Sequence, residues 1–248
     1  MKDHEEIATD APAACLQPGD YIDSDAPLVR AFAERITEGA TGEIAAALKL
    51  YRAVRDDIAY DPYRRIGSAE AFRASTVLAD GRGFCIGKAA LLAAVARAAG
   101  IPARVGYADV RNHLATRKLL ELLGSDLFVW HGYTQLYLDG RWVKATPAFD
   151  ARLCERFGVE PLEFDGRSDS LLQPCSRRGD QYMEYVRDRG LLADVPANAI
   201  LRDFTDAYPT FVASLREGGS SLGADFPREA AAETAGLRSA RHSTLRAS

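Results

Sequence analysis

One cysteine stands where the chain could form a reactive thiolate. Cys85 follows two glycines, Gly81 and Gly83, and opens an alanine- and leucine-rich segment that runs to Gly100. The glycines allow a sharp turn, and the apolar run predicts a buried helix whose first turn carries Cys85. Unpaired amides and the dipole at a helix start favour a thiolate, the form of cysteine that attacks carbonyl carbon. The alternative interpretation is that Cys85 is a small buried apolar residue, as most free cysteines are.

A cysteine nucleophile needs a base, which is usually histidine. Two of the four histidines, His4 and His242, fall in segments predicted to be terminal tails. His113 begins a segment without clear periodicity, whereas His131 lies inside a predicted long strand. We therefore expect His131 to be the base, because it is the histidine that rigid structure would hold. The alternative is a core histidine whose ring is satisfied by its neighbours.

The base also needs a group that orients it, and the hairpin signal at Asp139-Gly140 indicates two candidates. If those two residues form the turn, Thr146 and Asp150 lie diagonal to His131, about 7–8 Å away between backbones. Only Asp150 carries a carboxylate, which would fix the imidazole tautomer and stabilise an imidazolium. Asp150 can equally be the N-cap of a helix that follows it.

The composition narrows the functional classes. The 248 residues are 47% hydrophobic, enough for a sizeable core, and their net charge is −4. No basic run suggests nucleic acid, and no apolar or basic amphipathic segment suggests a membrane. The acidic N-terminus lacks an apolar signal core, so we expect a cytoplasmic protein. The four cysteines are widely spaced, so we predict free thiols, no metal and no cofactor; they are Cys15, Cys85, Cys154 and Cys175.

The predicted elements are mostly helical in the first third of the chain and extended after it. Besides the Cys85 helix, helices are predicted over 28–36, 43–58, 68–78, 150–157 and 197–208, and strands over 103–107, 127–138 and 141–146. Weaker strand candidates are 162–164, 170–172 and 181–186, and 112–123 is a short helix or an ordered excursion. We divide the chain into four segments: a loosely ordered N-terminus at 1–20, a core domain at 21–160, an extension that packs on the core at 161–216, and a disordered tail at 217–248.

Taken together, these motifs resemble the transglutaminase-like superfamily. The resemblance spans roughly residues 48–150 and is carried by Gly81-Arg-Gly-Phe-Cys85, Ala98-Ala-Gly-Ile-Pro-Ala-Arg-Val-Gly-Tyr107, Trp130-His131 and Gly140-Arg-Trp-Val-Lys-Ala-Thr-Pro147. The superfamily belongs to the papain-like thiol enzymes, whose Cys, His and Asp follow one another in that order. The resemblance implies an α+β fold in which N-terminal helices, including the nucleophile helix, pack on an antiparallel sheet. It also implies Cys85 as nucleophile and His131 as base.

The third position departs from the family pattern. The family usually has an Asp followed by Pro a few residues after the Trp-Val of the second strand, whereas this chain has Thr146-Pro147 there. Three alternatives stay open for the orienting group: Asp150, Thr146 acting weakly, or no group at all.

The resemblance implies acyl transfer through a thioester on Cys85, with His131 moving the proton and backbone amides at the helix start holding the oxyanion. Water as second nucleophile gives hydrolysis of a peptide or protein amide, which we favour; an amine gives cross-linking or amidation. One rival is a non-catalytic papain-like binding or scaffold module, which Thr146 favours. Another is an acyl-CoA-dependent transferase, although the sequence has no phosphate-binding glycine loop beyond the turn that presents Cys85. A third, purely structural interpretation keeps Cys85 and His131 as unrelated core residues. The sequence does not predict the oligomeric state.

Overall fold

The structure is a computed structural model that describes residues 12–63, 67–112, 115–172, 183–216, 226 and 228–232. The helices are α1 (Pro27–Thr37), α2 (Glu43–Asp57), α3 (Ala74–Asp80), α4 (Cys85–Ala98), α5 (Arg117–Leu123), α6 (Ala151–Phe157), α7 (Ala197–Ala207) and α8 (Pro209–Arg216). The strands are β1 (Ala59–Tyr60), β2 (Arg82–Gly83), β3 (Ala103–Asn112), β4 (Leu127–Leu138), β5 (Arg141–Ala145) and β6 (Met183–Leu192). The α+β class predicted from the sequence is confirmed, because the N-terminal helices, with α4 at their centre, pack on an antiparallel sheet.

Helix α4 forms the centre of the core. Every residue from Ile86 to Arg97 is buried, as the lack of a polar face predicted. Helices α1, α2 and α3 and strands β3 and β4 all pack against it. It ends at Ala98, and Gly100 adopts the left-handed conformation with φ 80° that suits a helix stop. Among the described helices, none has both the length and the apolar character that crossing a membrane requires.

The main sheet has the strand order β5–β4–β3–β6, with antiparallel neighbours throughout. The β4–β5 hairpin has the predicted register, because Leu138 pairs with Arg141 and Tyr137 with Trp142. The ladder stops at Thr134, so β5 does not continue alongside His131. Pro147 lies just beyond the last paired residues and cannot donate to a ladder, which explains the early end.

Residues 161–216, predicted to pack on the core as an extension, also complete its sheet. Strand β6 is an edge strand on β3 and is longer than the predicted 181–186, whose first two residues lie outside the described part of the chain. The weak strands predicted at 162–164 and 170–172 do not form, although Ser170 makes an isolated bridge with Ala145. Segment 112–123 contains helix α5, in agreement with the first of its two predicted forms.

Parts of both predicted loose ends are ordered. Residues 12–16 form a 3₁₀ turn with Cys15 buried, and Arg97 donates a hydrogen bond of 2.6 Å to the Gln17 carbonyl. At the other end, residues 226 and 228–232 are helical, and the buried Phe226 ring lies 5.6 Å from the Tyr60 ring. The two ordered parts share one cause, because an apolar side chain in each otherwise polar segment, Cys15 or Phe226, is buried against the core. The rest of 1–20 and 217–248 lies outside the described residues.

Candidate functional site

Cys85 is the first residue of α4, and the segment before it is held on both sides. Strands β1 and β2 form a short parallel pair in which Tyr60 aligns with Gly83. The Ala59 amide donates to the Gly81 carbonyl at 3.0 Å, and the Asp61 amide donates to the Gly83 carbonyl at 2.9 Å. The turn predicted from the glycines is therefore clamped to the end of α2, and it fixes where Cys85 begins the helix.

Strand β4 crosses the start of α4 at very short range, and a glycine makes this possible. A Cβ atom added to Gly132 would lie 3.0 Å from Ile86 Cα and 3.3 Å from the Cys85 carbonyl oxygen. The backbone of Gly132 also acts to lower the pKa of the Cys85 thiol. His131 precedes this glycine, and both His131 and Cys85 line one cavity. The structure thus brings the predicted cysteine and histidine to the same site, although they are distant in the chain.

The backbone next to His131 is bent. Trp130 has φ 62°, one of two non-glycine residues in the described chain with positive φ, and the β3–β4 register shifts at Asp109 opposite it. The freed Trp130 amide donates to Asp109 Oδ1 at 3.0 Å, and the indole Nε1 donates to Asp203 Oδ2 at 2.8 Å. Arg189 bonds to both carboxylates and lies over the indole, with 4.4 Å from Cζ to the ring centroid. This network holds the bend that precedes His131.

The ionisation of the two site residues differs from the sequence-based expectation. Burial raises the pKa of the Cys85 thiol to about 11, although the amides of Gly132, Ile86 and Cys85 itself act in the opposite direction. Burial alone lowers the pKa of His131 to about 4. The helix start does favour the thiolate as expected, but desolvation outweighs it. Both shifts favour the uncharged forms of the thiol and the imidazole at neutral pH.

The imidazole has no orienting partner on its inner nitrogen. In the described part of the chain, three buried side-chain polar atoms lack a hydrogen-bond partner: His131 Nε2, Thr146 Oγ1 and Tyr107 Oη. Thr146, in the position where the family usually has Asp, is only 1% exposed, and its carbonyl accepts a bond of 3.2 Å from the Tyr51 hydroxyl. Two of the unpartnered atoms thus belong to the residues that the family pattern would pair.

Asp150, the predicted carboxylate orienter, is engaged elsewhere. Its Oδ1 accepts from the Leu153 amide at 2.9 Å, which caps α6, and its Oδ2 accepts from the Tyr60 amide at 3.0 Å. Neither oxygen is bonded to His131 among the described residues. The alternative interpretation, a helix N-cap, describes the observed geometry. A catalytic role for Asp150 stays a prediction.

Sequence reasoning missed Lys88, which lies one helical turn after Cys85. Its side chain is completely buried, and Nζ donates to the carbonyls of Ile58 at 2.6 Å and Arg55 at 2.9 Å. Burial lowers the pKa of Lys88 to about 7, while the negative charge of Asp150 opposes that shift. The ammonium ties the end of α2 to the nucleophile helix. The signal in the sequence was a single lysine inside an apolar helix.

The other predicted site features can be located only in part. His4, His113, His242 and Cys175 lie outside the described residues. Cys15 and Cys154 are buried free thiols. Within the described part of the chain, no three His, Cys, Asp or Glu residues are grouped so that they could hold a metal ion.

Comparison with known proteins gives a family match over part of the chain. Residues 30–147 match the transglutaminase-like superfamily, so the chain contains a transglutaminase-like domain over these residues, which confirms the family predicted from the motifs. A candidate cysteine protease of Cytophaga hutchinsonii is similar in structure, with 17% identity, a TM-score of 0.48, and 80% of this chain and 54% of that chain covered. A candidate protease of Parabacteroides distasonis shares 18% identity, with a TM-score of 0.33 and 54% and 26% coverage. This chain thus spans about half the length of the first protein and a quarter of the second. No curated protein matches the chain.

Proposed function

We propose that this transglutaminase-like domain is a cysteine-dependent amide hydrolase that acts on peptide or protein substrates, with Cys85 as nucleophile and His131 as base. The observation that carries the proposal is the crossing of β4 over the start of α4 at Gly132, with Cys85 and His131 in the wall of one cavity. A thiol and an imidazole in a shared, mostly apolar site are the two groups that acyl transfer through a thioester needs.

In this mechanism the resting pair is neutral. His131 takes the Cys85 proton as the sulfur attacks the amide carbon, and the tetrahedral oxyanion is held by backbone amides at the start of α4. The C–N bond breaks as His131 returns the proton to the leaving amine, which leaves a thioester. Water then attacks the thioester with His131 as base, and the acid and the free thiol are released. The low pKa of His131, about 4, keeps the imidazole available as a base at neutral pH.

The first experiment is labelling of the purified full chain with a thiol-directed activity probe, followed by turnover of a peptide amide library. Cys85→Ser is expected to abolish labelling at that residue and to lower kcat/KM by more than about a thousandfold. Cys15→Ala is the matched control, since Cys15 is a buried free thiol that does not line the cavity, and it should retain turnover. Turnover that survives Cys85→Ser contradicts the proposal.

The pH dependence of alkylation tests the neutral pair. Because burial raises the pKa of Cys85 to about 11, its alkylation by iodoacetamide should be slow at pH 6 and rise about tenfold per pH unit above neutrality. Hydrolysis should instead be flat through neutrality and fall as His131 is protonated near pH 4. Rapid alkylation that is independent of pH between 5 and 8 would indicate a preformed thiolate–imidazolium pair.

A second candidate is a non-catalytic papain-like module that binds peptides. The observation that favours it is Thr146 in the usual Asp position, together with the unpartnered Nε2 of His131. It predicts no turnover from any amide library and no loss of peptide binding in Cys85→Ser. A covalent thioester trapped on Cys85 would exclude it.

A further inference from the structure

A cavity opens beside Cys85 and His131, and its walls are almost entirely apolar. Besides Cys85 and His131, the described residues that line it are mostly aliphatic and aromatic, and the one amide among them is Asn112. None of these is Asp, Glu, Lys or Arg, and His131 is neutral because burial holds its pKa at about 4. A charged group that entered would therefore find no oppositely charged side chain among the described lining residues.

Much of the far wall comes from outside the segment that matches the family. The match ends at residue 147, whereas β6, α7 and the start of α8 contribute lining side chains beyond it. Those side chains are Met183, Phe204, Tyr208 and Phe211. The family-matched segment thus supplies Cys85 and His131, and the C-terminal extension supplies four other side chains of the cavity wall.

That wall is fixed to the strand that carries His131. The Tyr208 hydroxyl accepts a bond of 2.7 Å from the Val129 amide and donates one of 2.8 Å to the Leu127 carbonyl. Both bonds satisfy the hydroxyl against the β4 backbone, so the ring presents its apolar surface to the cavity. Asp203, which lies on α7 before Tyr208, accepts a hydrogen bond from the Trp130 indole on β4. Such anchoring produces a preformed pocket, which binds without a large ordering cost.

The size of the cavity limits what it can hold. Its free volume is ≈ 50 Å³, and at roughly 10–15 Å³ per water on the same measure this is space for about four waters. One branched aliphatic or aromatic side chain occupies a comparable space, whereas a long acyl chain does not fit.

We propose that this cavity is a specificity pocket for one bulky, uncharged side chain of the substrate, of leucine to phenylalanine size, next to the amide that Cys85 attacks. The proposal rests on the proposed function. Transfer of such a side chain from water into an apolar pocket should raise kcat/KM roughly tenfold to a hundredfold over alanine. A lysine or glutamate side chain should fall below alanine, because its charge would be desolvated without a partner.

The test uses the full chain and a series of fluorogenic amides that differ in one side chain: Ala, Leu, Phe, Lys, Glu and an octanoyl group. We expect Leu and Phe to exceed Ala by tenfold or more, and octanoyl, Lys and Glu to fall below Leu. Lys or Glu at or above Leu, or Leu within twofold of Ala, would overturn the pocket.

A variant then locates the preference. Val129 is half-buried in the cavity wall, so Val129→Phe should fill the space and reduce the Leu to Ala ratio below about threefold. The matched control is Val186→Phe, the same change at a side chain that is 49% exposed and outside the lining, and it should keep the wild-type ratio. If Val129→Phe does not fold, Leu123→Ala gives the opposite change, because a larger pocket should move the optimum towards Phe and octanoyl. An unchanged ratio in Val129→Phe, or an unchanged optimum in Leu123→Ala, counts against the pocket.

Failure of the proposed function gives a different result from failure of the pocket. If none of the amides is hydrolysed, the enzyme proposal fails, and the pocket is measured by alkylation of Cys85 with N-substituted iodoacetamides. An N-isobutyl reagent should then label at least tenfold faster than an N-aminoethyl reagent, relative to their rates with free cysteine. Equal relative rates would refute the pocket independently of turnover.

Discussion

Trp130 and His131 are neighbours on β4, yet their polar groups are treated in opposite ways. Both donors of Trp130 are bonded, its amide to Asp109 and its indole to Asp203, and Arg189 links the two carboxylates. Burial works against the charge on Arg189, but its hydrogen bonds to the two carboxylates outweigh that effect and raise its pKa. The Nε2 atom of His131, one residue later, is buried and has no hydrogen-bond partner in the described part of the chain.

This difference separates what holds the site from what acts in it. A non-glycine residue in the left-handed region costs about 1–3 kcal/mol. At Trp130, whose φ is 62°, the hydrogen bonds to Asp109 and Asp203 offset that cost. At His131, by contrast, the buried Nε2 has no hydrogen-bond partner among the described residues. The comparison predicts that changes at His131 affect chemistry, whereas changes around Trp130 affect stability first and chemistry through position.

The largest effect is expected from His131→Phe. This change replaces a buried ring, whose Nε2 has no hydrogen-bond partner among the described residues, by an apolar ring. The kcat/KM should fall by roughly 10²–10⁴, the usual contribution of a general base. The free energy of unfolding at pH 7 should not fall, since no described side-chain hydrogen bond of the imidazole is lost and an unsatisfied polar atom is removed. Steady-state kinetics and urea unfolding measure the two quantities.

The same variant changes how stability depends on pH. Burial lowers the pKa of His131 from 6.5 to about 4, so the unfolded chain binds more protons than the native chain between those values. Stability therefore rises with pH across that window, and acidification from 6.5 to 4 should cost the wild type roughly 3 kcal/mol through this group. His131→Phe should lose this component. An equal acid dependence in both proteins would contradict the lowered pKa.

The next largest effect is expected from Asp109→Ala, in the network around Trp130. The change leaves the Trp130 amide without its acceptor and removes one of the two carboxylates that hold Arg189, at a site where the Asp109 side chain is 7% exposed. Breaking a buried pair in this way costs about 3 kcal/mol of unfolding free energy. If the bend at Trp130 aims His131, kcat should also fall about tenfold with KM little changed.

Two further variants control this prediction. Asp126→Ala removes a carboxylate from an exposed pair with Arg111 and should cost less than about 1 kcal/mol. Asp109→Asn keeps an acceptor for the Trp130 amide and should recover part of kcat, which a loss of stability alone would not explain. A stable Asp109→Ala protein with full kcat would show that the network does not position His131.

The parts of the molecule set by local patterns could be predicted from the sequence. The helix that starts at Cys85 follows from a glycine turn before an apolar run, and the hairpin register follows from Asp139-Gly140. Both signals lie within a few residues of the structure that they specify, so no knowledge of the rest of the fold was needed.

The features that could not be predicted from the sequence depend on contacts between distant segments. The bend at Trp130 requires Asp109 and Arg189, from two other strands, and neither has a local signature. The buried Lys88 depends on carbonyls at the end of α2, and the packed Phe226 depends on aromatic residues such as Tyr60. The diagonal placement predicted for Asp150 assumed a ladder that ends earlier, because Pro147 lies where the hairpin would have to continue.

The smallest effect is expected from substitution of Asp150. It tests whether this residue only stabilises the fold, like the residues around Trp130, or also acts in the chemistry of His131. Because its carboxylate caps α6 and accepts from the Tyr60 amide, Asp150→Ala should lower the unfolding free energy by about 1–2 kcal/mol and leave kcat within about threefold. Asp150→Asn retains a capping oxygen and should recover most of that stability. If Asp150→Asn were stable but more than tenfold slower, the missing charge would be the cause, and Asp150 would act on His131 in the working enzyme rather than only holding α6 and β1 together.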